Sequence, residues 1–339
     1  RIGYDVVSDM YTSVENLRRI AKGSYGNAGR RLAIAKKPYF LCEYAHAMGT
    51  GPGSLEEYWQ EFYAHDNFMG GCVWEFADHA IFHKDKKFRY TYGGDHGEYV
   101  HDGHFCVDGL FTPDRVPHAG AYNLKNVYRP VRARLAGNGI VEFTNCNSFR
   151  SSGYLTVNAT LYIGGKKAGT YDLSCDIPPG KSQTFNLLLF DTAGDIWLNI
   201  DYWDGETPVA TEQLRISEQL PSVKTAEGGK ISVSSQPKIL AVNFSGGRIV
   251  FDKDTGGIVE YSCDGVDYLV SKPLRSDRFG SAVYTNIFRA PTDNDKYIAG
   301  SWYRKGYDAL TPVKVSMSHA EKEDVVVVKV TSELTPPKG

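Results

Sequence analysis

What this 339-residue chain lacks narrows its chemistry before any motif is read. It has no charge excess: 38 basic and 40 acidic residues give a net charge of −2, which argues against nucleic acid or an anionic membrane as partner. No apolar run approaches the ~20 residues of a membrane span, and residues 1–20 hold no signal-peptide core. Cysteine is sparse. The six, at positions 42, 72, 106, 146, 175 and 263, follow no metal or redox spacing and are expected to be mostly buried thiols. Repeats and low-complexity tracts are absent. The glycine-rich stretches "GSYGNAG" (23–29) and "TYGGDHGEY" (91–99) match no phosphate-binding fingerprint. "HDGHFC" (101–106) has no partner cluster and is weak evidence for a metal.

What is abundant is aromatic: 22 Tyr, 16 Phe and 5 Trp, a bias that sugar-binding clefts share with many other surfaces. The length predicts two or three domains. In residues 1–129, "YDVVSDMY" (4–11), "YFLCEYA" (39–45) and "MGGCVWEFAD" (69–78) read as buried strands. Between and after them, "SVENLRRIAKG" (13–23), "SLEEYWQEFYAHDNF" (54–68) and "HAGAYNLKNVYR" (118–129) read as helices, the second with a capping box from Ser54 to Glu57. That order predicts parallel strands covered by helices. Residues 130–219 turn to short β-rich runs such as "LTVNATLYI" and "DIWLNIDYW", the spacing of an immunoglobulin-like sandwich. A polar linker over 217–229 leads to a third, β-rich region, 220–339.

The chemistry concentrates at strand ends. In parallel α/β barrels the βα loops meet at the C-terminal ends of the strands, so catalytic groups gather there. Tyr11, then Glu43, then Trp74 with Glu75 end consecutive strands, aiming a phenol, a carboxylate and an indole at one face. Glycosidases combine such groups: aromatic faces pack on sugar C–H surface, and a pair of carboxyls attacks and protonates the acetal. A lone Glu at a strand end is, however, more often a solvated or ion-paired surface residue, and a lone Trp more often core.

Five segments add what spacing alone does not: "LCEYAHAMG" (41–49), "GGCVWEFAD" (70–78), "YGGDHGE" (92–98), "HFCVDGL" (104–110) and "FRAPTDND" (288–295). In these, and in their order, the chain closely resembles the LacZ-type β-galactosidases of glycoside hydrolase family 2. The resemblance implies a multidomain α/β plus all-β protein. Residues 1–129 would be the last three strands of a (β/α)8 TIM barrel, 130–219 an immunoglobulin-like β-sandwich, and 220–339 the truncated start of the large C-terminal β-sandwich. Glu43 then corresponds to the nucleophile of a retaining hydrolase, and Tyr11 to the tyrosine that orients it. His46 corresponds to a contact of galactosyl hydroxyls and Trp74 to the floor of the galactose subsite. Phe105, through its carbonyl, and Asp108 correspond to sodium ligands, although the best-known members carry Asn at the latter position.

The family's general acid/base and magnesium ligands lie upstream of these segments, so the resemblance implies a catalytically incomplete fragment. Of the nearby acids, Glu75 and Asp78 match family positions that are not the acid/base, and Asp95 and Glu98 complete the set. Expected partners are a β-galactoside, the missing N-terminal part of the enzyme, and further copies of the full-length chain; compartment is open between cytoplasm and periplasm. Three barrel strands cannot close, so an exposed sheet edge and apolar faces are expected. A non-catalytic carbohydrate-binding or structural β module is the alternative of another class, and a family member with a different glycoside substrate is the third reading.

Overall fold

The computed structural model describes residues 4–84, 89–137, 139–187, 194–218, 229–269, 283, 285–322 and 325–336. The chain divides into two compact units, 1–222 and 223–339. The linker expected over 217–229 falls mostly outside the described residues.

The first unit opens with strand β1 (Val7–Met10) and helices α1 (Val14–Ala21) and α2 (Ala28–Lys36). Strand β2 (Tyr39–Tyr44), helix α3 (Leu55–Ala64) and strand β3 (Phe68–Val73) follow. A small hairpin, β4 (Ile81–Phe82) with β5 (Tyr90–Thr91), precedes helix α4 (Ala119–Val127). β1, β2 and β3 form one parallel sheet in chain order, as the alternation of strands and helices predicts. Helix α1 starts where the Ser13 side chain accepts the Asn16 N–H at 3.2 Å, and it stops at Gly23, whose φ of 65° suits glycine. Helix α2 has no counterpart in the sequence reading; Asn27 caps it by accepting from the Arg30 N–H at 2.9 Å. The capping box expected at Ser54 is not formed. Ser54 sits at φ 55° and its side chain makes no cap bond, because its left-handed backbone points the hydroxyl away from the first turn.

Alternate strand residues face the helices. Val7, Tyr39, Leu41, Tyr44 and Phe68 share a buried cluster with Leu17, Ile20, Leu55, Tyr58, Phe62 and Val127. Each such side chain contributes roughly 1.5–3 kcal/mol through the apolar area it removes from water. Tyrosines in this core keep their hydroxyls paired: Trp59 Nε1 donates to the Tyr44 hydroxyl at 2.9 Å, which meets the Tyr128 hydroxyl at 3.0 Å. The opposite face of the sheet is open, with Met10 and Met69 about 60% exposed.

Residues 131–218 are β. Strands β6 (Val131–Gly137), β7 (Ile140–Asn145) and β10 (Ser182–Asn186) make one antiparallel sheet in the order β10-β7-β6. Strands β8 (Leu155–Ile163), β9 (Lys166–Leu173), β11 (Asp195–Asp204) and β12 (Thr207–Glu218) make the other, in the order β12-β11-β8-β9. Their inward residues share one hydrophobic core that includes Val141, Phe143, Val157, Leu198 and Ile200. Arg129 joins this part to the helices, its guanidinium 2.9 Å from Glu212 on β12 and 3.3 Å from Glu56 on α3.

In the second unit, β13 (Ser232–Ser235), β14 (Ile239–Phe244), β15 (Gly247–Asp252), β16 (Ile258–Cys263) and β17 (Val266–Asp267) form an antiparallel meander. "FRAPTDND" becomes a turn closed by Arg289 on Asp295 at 2.9 Å, leading into helix α5 (Lys296–Arg304). A long hairpin, β18 (Thr311–Lys322) with β19 (Val325–Thr335), ends the unit.

The cysteine expectation fails. Only Cys175 is buried, while Cys42 and Cys72 are exposed, because both lie on strand faces that no helix covers.

Candidate active site

Strict period-two alternation would place Glu43 on the same face as Leu41, against the helices. The sheet avoids this with a bulge. On β1, Asp9 pairs with Leu41 but the next residue, Met10, pairs with Glu43; on β3, Gly71 pairs with Leu41 and Val73 with Tyr44. One extra residue of β2 is absorbed, so Tyr44 returns to the core with no exposure and Glu43 turns to the open end of the sheet.

Tyr11 follows β1 directly. Its N–H donates to the Glu43 carbonyl at 2.8 Å, and its hydroxyl lies beside the Glu43 side chain. Burial first, then the Glu43 carboxylate beside it and the nearby charges of Asp108 and Glu75, hold the Tyr11 hydroxyl well above its usual range. Tyr11 and Ala45 both have positive φ, 53° and 50°, so the turns after β1 and β2 carry backbone strain beside the carboxylate. Neighbours fix the strained turn: the Tyr58 hydroxyl donates to the Thr12 carbonyl at 2.9 Å, and the Tyr39 hydroxyl meets Thr12 Oγ1 at 3.0 Å. No sequence motif announces these anchors, because each lies on a different element from Thr12.

His46 and Trp74 meet the same group. Asp108 Oδ2 accepts from Trp74 Nε1 at 3.1 Å and lies 3.2 Å from His46 Nε2. The His46 ring stands 6.1 Å from that of Tyr11 and 6.3 Å from that of Phe105. All six residues singled out from the sequence therefore gather at one end of the sheet. Asp108 is 2% exposed; its other oxygen, Oδ1, and Glu75 Oε1 are both buried and meet no N–H donor among the described residues. Burial, followed by hydrogen bonding to Asp108 and its charge, pushes the Glu75 carboxyl up to about 8.

The segment bearing Asp108 is set by Asp78. Asp78 Oδ1 accepts from the Gly109 N–H at 2.8 Å, and Oδ2 lies 3.0 Å from His118 Nε2. Gly109 runs so close to the strand-end chain that an added Cβ would lie 2.3 Å from the backbone of Ala77 and Asp78. Asp95 and Glu98 shape their own loop: Asp95 accepts from the Tyr92 N–H at 3.0 Å, and Glu98 from the Gly94 N–H at 2.7 Å. Backbone N–H groups lower the Glu98 carboxyl, which suits a carboxylate and not a proton donor.

A buried carboxylate oxygen that no N–H group occupies is the kind of oxygen a hard cation takes, and Asp108 Oδ1, beside the Glu75 carboxyl, offers one for the expected sodium. Among the described residues no group of three or more His, Cys, Asp and Glu converges as a metal cluster, so further ligands there would be carbonyls or water. A cleft of about 1130 Å³ lies elsewhere, against α3 and β6–β7, lined by Glu56, Tyr63, Arg132 and Asn147; none of Tyr11, Glu43, His46 and Trp74 lines it. The strand-end site is an open shelf, with Tyr11 46% and Trp74 40% exposed.

Residues 1–133 match the family described as "Glycosyl hydrolases family 2, TIM barrel domain", and residues 244–338 match "Beta galactosidase small chain". A β-galactosidase of Actinobacillus pleuropneumoniae is 33% identical across 97% of this chain and 32% of its own length. Those of Staphylococcus xylosus and Kluyveromyces lactis are 32% and 30% identical across 91% and 98% of this chain. The chain spans about a third of the length of these curated relatives. No described helix is long and apolar enough to cross a membrane.

Proposed function

Since the chain belongs to family 2 of the glycosyl hydrolases, we propose that it supplies the nucleophile half of a retaining β-galactosidase site. The observation that carries the reading is Tyr11 set beside Glu43 at the bulged end of β2, its N–H on the Glu43 carbonyl at 2.8 Å and its phenol next to the carboxylate. A nucleophilic carboxylate must stay ionised and aimed, and a phenol whose own proton is held tightly does both. Glu43 attacks the anomeric carbon while a general acid protonates the departing glycosidic oxygen, giving a galactosyl ester. Water, deprotonated by that same group, then releases β-galactose and the Glu43 carboxylate. Trp74 stacks on the sugar and His46 meets its hydroxyls. Phe105, through its carbonyl, and Asp108 would hold a sodium ion, which would supply fixed positive charge beside the sugar. Magnesium, if the enzyme uses it, would take ligands from elsewhere.

We assign the general acid to the portion of the relatives that this chain does not cover. Residues 1–129 are then the last three strands of the TIM barrel, 130–219 the immunoglobulin-like domain, and 220–339 the start of the C-terminal β-sandwich. The full assembly is a homo-oligomer acting on terminal β-D-galactose. A second reading has its own support: Glu75, with its carboxyl raised to about 8 by burial beside Asp108, keeps its proton at neutral pH and lies close to Tyr11. Hydrolysis of a chromogenic β-galactoside by the purified chain separates the two. Activity lost in both Glu43→Gln and Glu75→Gln would make Glu75 the acid. Silence that ends when the upstream polypeptide is added would place the acid there. Turnover retained by Glu43→Gln would remove Glu43 from the role.

A further inference from the structure

We infer that Asp108 is a positioning residue for the two sugar-facing side chains, His46 and Trp74, and that it decides which way His46 hydrogen-bonds. The inference rests on the reading that those two side chains face galactose, but its geometry is independent of Glu43. One oxygen, Oδ2, takes the Trp74 indole N–H at 3.1 Å and lies 3.2 Å from His46 Nε2. The Asp108 side chain is only 3% exposed, so water cannot stand in for either donor. A carboxylate only accepts. Were the His46 proton on Nδ1, the Nε2 lone pair would face the Oδ2 lone pairs in a buried site, which is repulsive. In a neutral ring the proton is therefore held on Nε2.

That leaves Nδ1 as a bare acceptor. The His46 side chain is 24% exposed, and any hydroxyl reaching Nδ1 must donate its own proton. His46 thus selects for a hydroxyl, not for a carbonyl, an ether oxygen or a fluorine. Asp108 also couples the subsite floor to this preference. Because a single oxygen holds both rings, a shift of the loop at Gly109, pinned by Asp78 at 2.8 Å, would move them together. Such a double anchor demands an acceptor at position 108, and an asparagine there could serve through its amide oxygen alone.

The test reads the ring proton directly. In the ¹⁵N-histidine-labelled chain at neutral pH, a two-bond ¹H–¹⁵N correlation separates the two neutral tautomers and the cation, with His46 assigned by its absence from His46→Phe. The expected result is a single Nε2–H tautomer in the wild type and in Asp108→Asn. Asp108→Ala should show an averaged mixture, and the Trp74 indole proton should exchange with solvent at least ~10-fold faster as its bond is lost. An Nδ1–H tautomer or a doubly protonated ring in the wild type would overturn the inference. So would an Asp108→Ala protein whose tautomer and exchange match the wild type. Should Asp108→Ala fail to fold, the wild-type tautomer and the Asp108→Asn spectrum decide. Neither readout depends on turnover, so loss of the nucleophile assignment at Glu43 would leave this result standing.

Discussion

Residues 4–129 and 131–218 answer the same problem, burying one face of a sheet, in opposite ways. In the second stretch, β11 alternates almost perfectly between buried and half-exposed positions, and its buried side chains Leu198, Ile200 and Tyr202 have no exposure. In the first, the alternation of β2 breaks at Cys42–Glu43, two turns carry positive φ, and an aspartate lies buried beside a glutamate carboxyl. Regularity there is given up where the chemistry sits. The comparison teaches that the β-rich part carries stability, whereas the strand ends hold strain and charge that the surrounding tyrosines keep in place.

The sharpest way to break this comparison is Glu43→Gln in the assembled enzyme. Turnover of a β-galactoside should fall by ~10³-fold or more, while the thermal midpoint of the chain stays put, since Glu43 is half-exposed at the end of β2. A midpoint that dropped along with activity would mean that Glu43 is structural. The converse change is Leu198→Ala, which empties a fully buried site in β11. It should cost ~2–5 kcal/mol in denaturant unfolding and leave the His46 tautomer unchanged. A tautomer that moved would show that the two parts are not separable.

Smaller effects sharpen the contrast. Burial pushes the Cys175 thiol of the sandwich-like core from 9.0 up to about 12. Between those values the folded protein keeps a proton that the unfolded chain has released, so this contribution to stability declines as pH rises from 9 to 12. Cys175→Val should flatten that alkaline decline; an unchanged pH profile would refute the assignment. Smallest is the pair of serine caps. Ser13→Ala should cost ~1 kcal/mol because its oxygen serves the Asn16 N–H, and Ser54→Ala should cost almost nothing because its hydroxyl caps no N–H. Equal losses would contradict the left-handed geometry at Ser54.

The sequence by itself determined a good deal. Apolar runs of parallel-strand type, the helical pattern of residues 54–68 and regular β spacing after residue 130 laid out the elements, because burial dictates those periods. The segments around Glu43, Trp74 and Asp108 named the family. Other features depended on neighbours distant in the chain. The carboxylate leaves the core only because β2 slips one residue against both β1 and β3. Thr12 is fastened by Tyr39 and Tyr58, which lie 27 and 46 residues away. Asp108 looked like a cation ligand in sequence, yet folding commits one of its oxygens to His46 and Trp74, 62 and 34 residues away. Local pattern reports which side chains must be buried. Which buried polar atoms find partners, and which are left to serve a ligand, is set only when separate strand ends are brought within hydrogen-bond reach.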